Sequence, residues 1–231
     1  MTAASGLARA GLVVSGAFLV SRVLGWVRLV VIADTFGASA DLDAFFAAFR
    51  IPDLIFQLVA AGAVASALIP VLAGLLATGE PGRAWRVAST VTNLMLIALA
   101  VLAAVVFIAA PAIMPLITPG FEGAALNRTV ELTRIMLLSP VLLALGSVAT
   151  SILNAQDRFA AAAMAPVMYN LAIIGSAVLL APSMGVDGLA VGVVAGSALH
   201  VLIQLRSLHD GGFRWTPAVD VRDPADRKSV V

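Results

Sequence analysis

GLVVSGAFLVSRVLGWVRLVVI, residues 11–32, is the stretch that decides the fold, and its only charges are Arg22 and Arg28. About 20 apolar residues in helical geometry cover a hydrocarbon layer of ~30 Å. The stretch therefore reads as a membrane-spanning helix. Arg9 followed by residues 11–20 also resembles the charged and apolar regions of a secretory signal. Ser21-Arg22 then brings no small-residue cleavage site, and many apolar runs follow, so the segment is expected to stay as the first span.

Working outward, the same unit recurs along the chain. Further runs are expected to span at 44–76, 87–117, 132–153, 160–180 and 188–205. An all-α integral membrane protein of about six spanning helices results, with a membrane domain over residues 1–208. Residues 44–76 are too many for one simple span, and Pro52 and Pro70 are expected to break it. Pro140 is expected to kink the fourth span. Connections are short and rich in turn formers, such as residues 78–82 and 181–185. The chain is 61% hydrophobic and 12% charged, against about half and a quarter in soluble domains. Its mean hydropathy is +1.05. With no cysteine and only two distant histidines, disulfides and a convincing metal site are excluded, and no cofactor or nucleic acid is expected.

Lys and Arg in short loops orient such proteins. Arg9, Arg83, Arg86, Arg158, Arg206, Arg214 and Arg222 fall on one side, and Arg128 stands almost alone on the other. Both termini are expected to be cytoplasmic. Gly188, Gly192 and Gly196 repeat every fourth residue, as do the small residues Gly62 and Ser66 behind Ala60. Such ridges let helices approach closely, and intramolecular packing is the expected use. Residues 209–231 read as a polar cytoplasmic tail. The last six residues, Asp226-Arg227-Lys228-Ser229-Val230-Val231, match one reading frame of a common sequencing adapter. The gene is expected to be interrupted there and the end to be artefactual.

Arg22 and Arg28 carry the chemistry. A charge at mid-membrane costs at least ~2.5–3.5 kcal/mol on insertion scales, so it faces a cavity or a partner. Six residues place them about 120° apart around the helix and ~9 Å apart along it. Arg50 adds a third cation, with Asp34, Asp41 and Asp43 as possible counter-charges. Guanidinium groups hold phosphate through paired, charge-assisted hydrogen bonds, which suits an anionic, phosphorylated ligand. The competing reading pairs Arg22 with one of those aspartates and extends Arg28 and Arg50 to an interface. Asn93, Asn154 and Asn170 are expected to bridge helices, Glu131 to pair with Arg134, Tyr169 and Trp85 to anchor at an interface, and His200 to make an interhelical hydrogen bond or to couple protons. No Walker loop, HExxH or GxSxG motif with partners is present, so no enzyme is indicated.

SRVLGWVR (21–28), IADTFG (32–37), DAFF (43–46) and AFRIP (48–52) together resemble the MurJ/MviN family of lipid II flippases. Supporting matches are Gly62-Ala63, IPVL (69–72), PGF (119–121), ILNA (152–155) with Arg158-Phe159, and Pro166 with Asn170. The resemblance implies the N-terminal lobe of a two-lobed transporter of the MOP exporter superfamily, which has about fourteen helices. It implies a bacterial cytoplasmic-membrane protein that moves lipid II, the undecaprenyl-pyrophosphate-linked peptidoglycan precursor, by alternating access, with coupling to ions and membrane potential. By motif match Ser21, Arg22, Arg28, Asp43 and Arg50 would be substrate-binding. The missing C-terminal lobe and membrane lipids are the implied partners. Phe56 and Ala61 stand where many members carry a basic and an acidic residue. Export of another polyprenyl-linked saccharide, or a non-transporting scaffold or inert fragment, are the alternatives; cation export fits an arginine-lined cavity poorly.

Overall fold

The structure, a computed structural model, describes the backbone of residues 2–60 and 63–217 and the side chains of residues 11–57 and 66–217. Among the described residues the chain is helical and has no strand. The helices are α1 (Thr2–Phe36), α2 (Ala40–Ala60), α3 (Ala63–Ala77), α4 (Pro81–Ile117), α5 (Gly123–Met136), α6 (Leu138–Ala155), α7 (Phe159–Leu179), α8 (Ala181–Met184) and α9 (Val186–Asp210). Among the described residues five helical stretches are long and apolar enough to cross a membrane: Gly11–Phe36, Pro81–Ile117, Gly123–Ala155, Phe159–Leu179 and Val186–Asp210. The expected second span, residues 44–76, is divided between α2 and α3. Pro52 and Pro70 lie inside these helices rather than at their ends. Gly62 and the tail from residue 218, with Arg222 and the adapter-like end, lie outside the described residues.

Proline shapes several of these helices. It has no N–H, so the carbonyl four residues earlier loses its helical donor, and at membrane depth another donor must replace it. Pro140 orphans the Met136 carbonyl, and the helix breaks at Leu137 between α5 and α6. The Ser139 hydroxyl donates to that carbonyl at 2.7 Å. Pro111 orphans the Phe107 carbonyl, which accepts from Arg134 Nε at 3.0 Å. Pro52 orphans the Ala48 carbonyl, which the Thr133 hydroxyl approaches at 3.4 Å while donating more closely to its own helix at Thr129 O, 2.8 Å.

Helices α7 and α9 form the tightest pair. A Cβ on Gly188 would lie 2.9 Å from the Leu180 backbone carbon, and one on Gly196 would lie 2.9 Å from the Tyr169 carbonyl oxygen. A Cβ on Gly192 would collide with the Ser176 hydroxyl. The glycine ridge thus serves packing within the chain. α1 ends where Gly37 turns with φ +58, a left-handed conformation that suits glycine, and its N–H closes on Ala33 O at 2.9 Å.

One end of the bundle gathers the basic loops. Arg158 donates to the carbonyls of Ser207 (3.2 Å) and Asp210 (2.9 Å), and Gln156 Nε2 to that of Gly211 (2.8 Å). The segment after α9 then crosses the start of α4. Trp215 Nε1 donates to Asn93 Oδ1 at 2.9 Å, Asn93 Nδ2 to Thr216 O at 2.8 Å, and Phe213 meets the Trp85 ring edge-on at 5.7 Å. At the opposite end Arg128 bonds Asp187 at 2.8 Å, tying α5 to α9.

Candidate functional site

A cavity of about 280 Å³ opens between α1, α2, α6, α7 and α9. Its polar lining is Arg28, Asp53, Ser139, Tyr169 and His200, and Phe49 and Phe56 add apolar wall. Each polar group comes from a different helix, so only the folded bundle brings them together. Arg28 projects from an apolar helix, on the same face as Ser21 and Gly25, which meets α7. Its guanidinium carbon lies 5.9 Å from the centre of the Tyr169 ring, a cation–π contact that orients the cation without neutralising it. Asp53 Oδ2 accepts from Gln57 Nε2 at 2.6 Å, so its nearest partner lies on its own helix. Among the described residues Arg22, Arg28 and Arg50 form no ion pair. The pairing of Arg22 with Asp34, Asp41 or Asp43 is absent there.

The other sequence-derived candidates fall outside this cavity. Arg22 is exposed and stacks over Phe18 at 5.0 Å. Arg50 is exposed, one turn before Asp53 on α2. Asp43 lies in the first turn of α2, where a carboxylate favours the helix dipole. Ser39 caps this helix, its hydroxyl accepting from Leu42 N at 3.3 Å. Ser21 is engaged locally: Asn170 Nδ2 donates to its carbonyl (3.3 Å) and hydroxyl (3.4 Å), bridging α7 to α1. A Cβ on Gly25, one turn on, would lie 3.9 Å from the Asn170 Oδ1, an ordinary contact.

Sequence reasoning missed Asp53 and Ser139, and it named Tyr169 as an interfacial anchor without the cavity that this ring lines. Asp53 was readable only as a counter-charge one turn beyond Arg50. His200 makes no interhelical hydrogen bond through Nδ1, which is buried and without a partner among the described residues. It fits because residue 146 is glycine; any Cβ there would strike the imidazole ring. Beside it, Gln204 Nε2 donates to Gly146 O (3.2 Å) and Oε1 accepts from Thr150 (3.0 Å), joining α9 to α6. Glu131 pairs with Arg128 at 3.4 Å and not with Arg134.

The sequence pattern of the family described as Lipid II flippase MurJ matches residues 32–230 of this chain. A protein of Burkholderia cenocepacia called Lipid II flippase MurJ is 38% identical over 206 residues, covering 87% of this chain and 40% of the relative. A probable lipid II flippase MurJ of Vibrio cholerae is 32% identical over 235 residues, covering 97% of this chain and 45% of the relative. The chain thus spans less than half the length of these relatives. Among solved structures, a lipid II flippase MurJ in an inward closed conformation superposes with a TM-score of 0.77 at 23% identity, over 95% of this chain and 46% of its own. A MATE protein superposes with a TM-score of 0.74 at 15% identity, over 95% of this chain and 50% of its own. Both likenesses show the fold.

Proposed function

We propose, starting from the fact that this chain belongs to the lipid II flippase MurJ family, that it forms the N-terminal lobe of a flippase for lipid II, the polyprenyl-diphosphate-linked cell-wall precursor. The observation that carries the reading is Arg28, a cation at membrane depth that lines a cavity and forms no ion pair among the described residues. Keeping such a charge in an apolar helix costs several kcal/mol unless it meets water or an anion. A phosphate offers that anion, and the planar guanidinium can grip two of its oxygens at once. Tyr169 holds the cation in place.

A diphosphate carries more charge than one arginine balances. Arg22 lies ~9 Å along the same helix, and Arg50 one turn from the cavity wall. Both are free of ion pairs among the described residues, and in this reading they complete the positive surface when a second lobe closes over it. Asp43 then acts as a counter-charge at the flank of the cluster, and Ser21 as the link that fixes α1 on α7. α2 and α3 together make the remaining crossing. Both ends of the lobe face the cytoplasm, in keeping with the basic loops gathered at one end of the bundle.

A second reading, transport of another polyprenyl-diphosphate saccharide, draws on Phe56. It puts an aromatic ring in the cavity wall where many family members have a basic residue, which leaves fewer cations for the cargo. The test is a chimera in which this chain replaces the matching segment of the Burkholderia relative, expressed in cells depleted of their own flippase. The chimera is expected to restore growth, and Arg28→Glu to abolish the rescue while the protein still inserts. Full rescue by Arg28→Glu would show that the cavity cation has no part in transport.

A further inference from the structure

Outside the cavity, Arg134 marks a different site, on the face formed by α4, α5 and α6. Its Nε is committed to the Phe107 carbonyl that Pro111 leaves open, and its guanidinium carbon lies 4.9 Å from the centre of the Phe107 ring. The side chain is therefore held in one place. Its terminal nitrogens carry no ion pair and no other hydrogen bond among the described residues. Two hollows meet at this group. One, of about 250 Å³, is polar and bordered by Asn127, Glu131 and Arg134. The other is a trough of about 440 Å³ walled by Ala100, Ala103, Ala104, Leu138 and Val141. Ala100, Ala103 and Ala104 offer only methyl groups along this part of α4, and Phe107 and Ile108 of the same helix border the hollow.

Charge decides what fits. Glu131 and Arg134 sit three residues apart on one helix face, ~5–6 Å between their Cβ atoms. Arg128 joins Glu131 (3.4 Å) to Asp187 (2.8 Å), so these four side chains sum to zero. A lone phosphate on Arg134 would leave a net negative charge beside the Glu131 carboxylate. A headgroup that carries phosphate and a primary ammonium would leave none, with an N–H donor for Glu131 as well. We propose that this is a binding site for a phosphatidylethanolamine-type lipid: phosphate on Arg134, ammonium on Glu131, and one acyl chain in the alanine-walled trough. The site stands independently of the cargo reading.

The test uses the whole chain in nanodiscs made of equal parts phosphatidylethanolamine, phosphatidylglycerol and phosphatidylcholine. Lipids that stay with the released protein are counted by native mass spectrometry. Phosphatidylethanolamine should be enriched severalfold over both others. Glu131→Gln should turn the preference to phosphatidylglycerol, and Arg134→Gln should remove it. Ala104→Phe, on the lipid-facing surface, should fill the trough and reduce retention of every headgroup, with thermal unfolding unchanged. Equal retention of the three lipids by the parent chain, or enrichment of phosphatidylglycerol, overturns the proposal. So does a Glu131→Gln variant that keeps the parent preference. Should Arg134→Gln fail to insert, the parent's lipid preference and Ala104→Phe decide the matter.

Discussion

Arg134 and Pro111 depend on one another. The proline removes a backbone donor from α4, and the arginine of the next span supplies one to the same carbonyl. An unmet carbonyl at membrane depth costs about 1–3 kcal/mol in mutational measurements. Arg134→Ala should therefore lower stability by about that amount in the parent. In a Pro111→Ala background the restored N–H makes the arginine dispensable, and the cost should largely vanish. A double-mutant cycle by denaturant unfolding in detergent checks this, and additive losses would refute the coupling. Arg28 and Arg22 were legible in the sequence because a charge inside an apolar run has few explanations. The cavity around Arg28 was not. Asp53, Ser139, Tyr169 and His200 are far apart in the chain, and only helix rotation and packing decide whether they face one space.

Among the elements, α9 was the most legible, since three glycines at four-residue spacing announce a close neighbour. What the spacing left open was which helix. The geometry names α7 and the Leu180 junction that follows it, and makes two of the contacts backbone contacts, which cannot swing aside. Gly188→Val or Gly196→Val should each destabilise the bundle by about 1–3 kcal/mol or more through overpacking. Gly175→Ala, where a Cβ would meet nothing within 4 Å, should be neutral or slightly stabilising. Thermal shifts in detergent separate the two groups, and equal shifts would mean that α7 and α9 do not pack as described. The second and fourth spans were harder to read. Proline normally ends or kinks a helix, yet α2 and α3 run through Pro52 and Pro70. The break near Pro140 falls at Leu137, where Ser139 can satisfy the freed carbonyl. Such rescue depends on a neighbouring side chain, which a pattern of apolar residues does not reveal.

At the scale of the whole molecule, the striping of basic loops agrees with the end of the bundle where α4 begins, α7 begins and α9 finishes. The strap of residues 213–216 across α4 closes that end, and nothing in its composition predicted the Asn93 contacts. Among the described residues α1 is the least covered of the five spanning stretches, and its Trp26 is 75% exposed. In the proposed transporter this apolar helix, which carries two arginines and packs chiefly on α7, is the face that the second lobe would cover. The central claim is that the Arg28 cation grips a diphosphate in the cavity this lobe contributes. Its most direct test is the affinity of the purified chimera for undecaprenyl diphosphate, with Arg28 intact, as Arg28→Lys and as Arg28→Glu. A charge-assisted hydrogen bond contributes about 1.5–3 kcal/mol, so charge reversal should weaken binding about tenfold to a hundredfold, with Arg28→Lys between the two. Equal affinity in all three would contradict the account.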